Sequence, residues 1–103
     1  MRLQVLHVPG CPNAVALTTR LGQLLGSRDR VEQLVIRDQD EAAAAGMSGS
    51  PTLLLDGIDP FAVAGRPSGL ACRLYLDENG ALAGAPSLVQ LRAALTGKGP
   101  GNA

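Results

Sequence analysis

Two cysteines carry the chemistry open to this chain, and they sit in different company. Cys11 lies in Val8-Pro9-Gly10-Cys11-Pro12-Asn13, where an apolar run stops and a helical pattern begins. A thiol at such a junction meets free backbone N–H groups and the positive end of a helix dipole, and both favour the thiolate. Pro12 suits the first helical position, where its missing N–H would have had no partner. Cys11 is therefore read as a nucleophile, against the plainer reading of a small apolar filler. His7, four residues earlier, would steady a thiolate if its charged ring reached the sulfur; otherwise it is a packed or solvated strand-end residue. Asp59-Pro60-Phe61 offers a proton acceptor and an apolar cover over the sulfurs, or simply turn chemistry ahead of a proline. Arg66 and Arg73 would steady a thiolate or an anionic substrate such as glutathione, although solvated surface arginines are commoner.

The elements that must position these groups follow from the pattern. Residues 3–8 are apolar and β-compatible, and Pro9-Gly10 ends them, which predicts a first strand. From residue 12 to 25, Ala14, Leu17, Leu21, Leu24 and Leu25 recur at three- and four-residue steps, giving one buried helix face with Gly26 as its stop. Residues 31–36 read as a second, aliphatic strand, and the strand–helix–strand order predicts a parallel pair. Asp38 and Asp40 cap a short helix through Ala45, with Gly46 ending it. Gly49-Ser50-Pro51-Thr52 then opens the strand Leu53-Leu54-Leu55. Residues 57–70 form a long Gly/Pro-rich connection without a strand or helix period, and a loop of that length is more often functional than idle. Residues 72–76 read as a strand, Asp77-Glu78-Asn79-Gly80 as a hairpin turn, and 81–83 as the return strand. Ser87 and Gln90 are spaced as a capping box, and Leu88, Leu91, Ala94 and Leu95 form the last helix's buried face. The expectation is one domain over residues 1–96 and a flexible tail over 97–103.

Composition narrows the function classes. Nine basic and nine acidic residues balance to zero net charge, and Phe61 and Tyr75 are the only aromatics. Without a basic excess or stacking platforms, no nucleic-acid or anionic-membrane partner is expected. No run approaches transmembrane length, and the first residues lack the apolar segment of a signal peptide, so the expected compartment is the cytoplasm with reduced thiols. No Cys-x-x-Cys or His cluster has zinc spacing, so neither a metal site nor a resident cofactor is expected.

Taken together, the motifs Gly-Cys-Pro-Asn, Gly-Ser-Pro-Thr, Asp-Gly-Ile-Asp-Pro-Phe and Cys-Arg-Leu-Tyr resemble the thioredoxin superfamily over nearly the whole chain. More narrowly, they are similar to small bacterial thioredoxin-like proteins, some selenocysteine-containing and some labelled alkylmercury-lyase-like. The resemblance implies an α/β fold, a mixed four- to five-stranded sheet flanked by three helices. It also implies a cis Ser50-Pro51 bond facing Cys11. Such a bond would present the Ser50 backbone to an extended thiol substrate for β-type pairing. One departure matters: Ala14 stands where the family's second active-site cysteine would be, so dithiol exchange within that motif is excluded.

On the implied topology the strand 72–76 starts near Cys11. Cys72 would then take over as resolving thiol, if the two Cα atoms come within about 7 Å. Otherwise it is a buried apolar cysteine at the far end of the sheet. Three functions follow. The first is a thiol-disulfide oxidoreductase or thiol peroxidase acting on a protein or low-molecular-weight thiol or disulfide. The second is a soft-metal or organomercurial-binding protein using both thiolates. The third is a binding module that presents the Pro51 groove without catalysis.

Overall fold

The computed structural model describes residues 1–27 and 29–97. In chain order the elements are β1 (Leu3–His7), α1 (Pro12–Leu24), β2 (Val31–Val35), α2 (Gln39–Ala45), β3 (Ser48–Ser50), β4 (Thr52–Leu55), β5 (Gly69–Cys72), β6 (Tyr75–Leu76), β7 (Leu82–Ala83) and α3 (Leu88–Leu95). Apart from Gly97, the expected tail lies outside the described residues.

β1 is the central strand, and its run of buried residues reflects that position. β2 pairs with one edge in parallel, as the strand–helix–strand order predicts, and β4 pairs with the other edge antiparallel. Alternate side chains then serve two cores. Leu3, Val5 and Leu53 join Leu17, Leu21 and Leu91 under α1 and α3, while Leu6 and Leu54 join Ile36, Ala42 and Met47 beside α2.

The helix ends show how local chemistry sets the boundaries. The Asp38 carboxylate accepts the Glu41 N–H at 2.8 Å, and Gly46 leaves α2 in the left-handed region at φ 80°. Ser87 and Gln90 form both halves of the capping box at α3. The exit of α1 differs from expectation. Leu25 ends it in an extended conformation, and Gly26 follows without a positive φ, its N–H donating to the Asp29 carboxylate at 3.1 Å.

The sheet also departs from the single four- to five-stranded one expected. It is a mixed three-stranded sheet, order β2-β1-β4, beside two separate two-stranded ladders, β3-β5 parallel and β6-β7 antiparallel. Pro51 interrupts the chain between β3 and β4, and a proline has no N–H to carry a ladder onward. The strand expected over 72–76 is split as well. Cys72 ends β5, and the chain breaks at Arg73 and Leu74 before β6. Burial still alternates through this stretch, but Arg73 and Tyr75 point inward while Cys72, Leu74 and Leu76 point to solvent.

Leu21, on the inner face of α1, is completely buried, whereas Val15 on the same helix is 67% exposed. Leu21→Ala should destabilise the protein by about 3 kcal/mol in urea unfolding. Val15→Ala should stay within about 0.5 kcal/mol, the usual range for surface positions.

Candidate functional site

Cys11 is the residue immediately before the first turn of α1, with Pro12 at the first helical position. The tight turn that delivers it needs Gly10 at φ +72°. Its N–H donates to Val8 O at 3.3 Å and its carbonyl accepts the Ala14 N–H at 3.2 Å, so the backbone is committed while the side chain makes no capping bond. The residue is 9% exposed and packs in the same cluster as Phe61 and Tyr75. It also lines an open cleft of about 400 Å³ on the α1 side, shared with His7, Val15, Thr18 and Gln33. Gln33 donates to the Thr18 hydroxyl at 2.7 Å and ties β2 to α1 there. His7 Nδ1 lies 2.9 Å from Val8 O. A carbonyl only accepts, so Nδ1 carries the hydrogen and Nε2 is the ring nitrogen left for other partners.

The Ser50-Pro51 bond is cis, as the motif implied. The surroundings of that bond were not foreseen. The Ser50 hydroxyl accepts the Val8 N–H at 3.0 Å, which fastens the proline turn to the segment leading into Cys11. The Ser50 carbonyl, expected to face substrate, accepts the Arg73 N–H at 3.0 Å, and Cys72 is the β5 residue opposite Ser50. Both Ser50 and Pro51 are fully buried. Gly49 permits this approach of β5: a Cβ there would lie 2.9 Å from Arg73 Cβ, at a φ of +94°.

Arg73 is the residue the sequence reading undervalued. Its side chain is 1% exposed and donates to Asp59 Oδ2 at 2.6 Å, to the Phe61 carbonyl at 2.7 Å and to the Thr52 hydroxyl at 3.3 Å. Its guanidinium carbon sits 4.6 Å from the centre of the Tyr75 ring, in the range of a cation–π contact. Among the described residues, Arg73 Nε is the one buried side-chain polar atom without a partner. Asp59 therefore serves an ion pair and the turn, since Oδ1 also accepts the Phe61 N–H at 2.8 Å. Phe61 meets Tyr75 edge to face at 5.7 Å, and the Tyr75 hydroxyl donates to Pro51 O. Burial pushes the Tyr75 phenol well above its ordinary range; the Arg73 guanidinium pulls it back down, and the Asp59 carboxylate adds to the rise. A usable signal did exist. Phe61 and Tyr75 are the only aromatics, and Arg73 shares the alternating face of Tyr75.

No family model, curated protein or solved structure matches the chain.

Both cysteines are free. Cys72 is exposed, so Phe61 does not shield both sulfurs; it shares a core cluster with Cys11. The two thiols line different clefts: Cys72 shares its own with Gln39, Ser48 and the exposed Arg66. Among the described residues no group of three or more His, Cys, Asp or Glu side chains gathers as a metal site. Among them, too, no helix is long and apolar enough to cross a membrane.

Removing one member of a buried ion pair strands the other. Asp59→Ala should cost roughly 3 kcal/mol in unfolding free energy. The double variant Asp59→Ala/Arg73→Met should be more stable than that single variant, read from urea midpoints. Tyr75 gives a pH signature. Its folded phenol holds its proton above the ordinary value of 10.0, so the unfolded chain ionises first as pH rises. Stability is then complete below that value and falls above it, by up to about 1.4 kcal/mol per pH unit. Tyr75→Phe should remove this alkaline slope, measured as unfolding midpoint against pH.

Proposed function

We propose that this chain is a thiol-based redox protein of the thioredoxin-like kind, with Cys11 as its nucleophile. The observation that carries the reading is Cys11 at the N-terminus of a 13-residue helix, beside an open cleft, on a chain with a cis proline at the start of β4. The helix start places the positive end of the α1 dipole beside a sulfur that makes no capping bond of its own. The strand order β2-β1-β4, parallel then antiparallel, supports the same reading.

The exchange balances in two steps. The Cys11 thiolate attacks one sulfur of a disulfide RS–SR, the S–S bond breaks, and RS⁻ leaves as the Cys11–SR mixed disulfide forms. A second thiolate then attacks the sulfur of R in that mixed disulfide and returns Cys11 to the thiolate. The disulfide has moved to the second thiol, with no electrons left over. Ala14 cannot supply that second thiol. Cys72 is the other thiol of the chain, but the separate clefts favour an external low-molecular-weight thiol for release. The same separation weighs against the soft-metal reading, which needs both sulfurs on one ion.

Cys11→Ser should lower the rate of thiol–disulfide exchange with a small disulfide by at least about 100-fold, whereas Cys72→Ser should stay within about threefold of the parent. Exchange is followed by release of the leaving thiol. Unchanged exchange in Cys11→Ser would overturn the assignment of the nucleophile. Accumulation of the mixed disulfide in Cys72→Ser, with excess external thiol present, would restore Cys72 as the resolving group.

A further inference from the structure

Resting on Cys11 as the nucleophile, we infer that the substrate of this site is a small disulfide without net charge, and neither an extended protein segment nor an anionic thiol compound. Two separate observations lead there.

The first concerns the edge beside the cis proline. An extended polypeptide binds along a strand whose N–H and C=O groups are unpaired. Here β5 occupies that place on β3. Ser48 pairs with Gly69, Ser50 pairs with Cys72, and the Ser50 carbonyl holds the Arg73 N–H. Lifting β5 means pulling on Arg73, whose guanidinium is buried against Asp59, Thr52 and Phe61. A protein substrate would have to displace that anchor before it could pair. The chain's own segment serves as the permanent occupant.

The second concerns the cleft that does reach Cys11. Its volume of about 400 Å³ lies in the range of small-ligand pockets. Among the described residues, none of its lining side chains is Asp, Glu, Lys or Arg. The wall is apolar at Ala14 and Val15, with neutral hydrogen-bonding groups at Thr18, Thr19 and Gln33. A carboxylate entering here would lose hydration and find no cation to pair with. The exposed cation Arg66 lines the cleft of Cys72 and the groove at Phe61 instead. His7 is the one imidazole in the lining, and its Nδ1 is already committed to Val8 O.

The test compares three disulfides of known behaviour: 2-hydroxyethyl disulfide (neutral), dithiodiglycolate (a dianion) and insulin (a protein disulfide). Each rate at Cys11 is divided by that of a free reference thiol, N-acetylcysteinamide, which removes intrinsic differences among the disulfides. The reaction runs in Cys72→Ser at about pH 8, above the range where imidazoles usually carry charge. The normalised rate should be at least about tenfold higher for the neutral compound than for the dianion, and insulin should be reduced no faster than by the reference thiol. A dianion that matches or exceeds the neutral compound, or insulin reduction well above the reference, would overturn the substrate class while leaving Cys11 as nucleophile. If no disulfide reacts at Cys11 faster than at the reference thiol, the nucleophile reading itself fails.

Discussion

A guanidinium with 1% of its side chain exposed is the constraint on which the site's geometry rests. Removing such a charge from water costs several kcal/mol unless carboxylate, carbonyl and hydroxyl acceptors replace the lost hydration. Arg73 finds each of these on a different segment: Asp59 and Phe61 from the long connection, and Thr52 from the start of β4. Its own N–H reaches the Ser50 carbonyl, and its planar face lies over Tyr75, whose hydroxyl reaches Pro51. One buried cation thus gathers the proline turn, the Asp59 turn and the 72–75 segment. The packing of Phe61 and Tyr75 with Cys11 is a downstream consequence of this arrangement.

That dependence explains which parts were legible in the sequence. The caps at Asp38, Gly46 and Ser87 are local, decided within a few residues, and they stand as read. The buried stripe of α1 and the parallel β1-β2 pair follow from periodicity and connection length. Cys11, Pro12 and the cis bond before Pro51 also stand where the motifs put them. The orientation of residues 72–76 was not legible. A period of two says that sides alternate, but not which side is inside. Hydropathy favours burying Leu74 and Leu76 together with Cys72; the fold instead buries Arg73 and Tyr75, because the partners for a guanidinium come from Asp59 and Phe61, distant in sequence. β5 was missed for a related reason. Gly69-Leu70-Ala71 has no β-branched residue to announce a strand, and the pairing exists because β3 accepts it.

The divided sheet has its own logic. Since β4 lies on β1 and β3 does not continue that ladder, the segment before Pro51 is free to take a different neighbour. β5 fills the role, and the absence of a Cβ at Gly49 lets the two backbones approach. The chain is then delivered to Arg73 with the side chain turned inward. A residue larger than glycine at position 49, a shorter connection, or a carboxylate missing at position 59 would each unsettle the same arrangement from a different direction.

Two thiols in one small domain also need not share one task. Position and access differ between the two: Cys11 sits at the N-terminus of α1 and is only 9% exposed, in the same cluster as Phe61 and Tyr75. Cys72 has the access and lacks the helix terminus. Protein disulfides are large and reach only exposed sulfurs, so shelter of the kind found at Cys11 excludes large partners on size alone. The open route to the Cys11 sulfur runs past the uncharged wall of α1, while β5 covers the edge of β3.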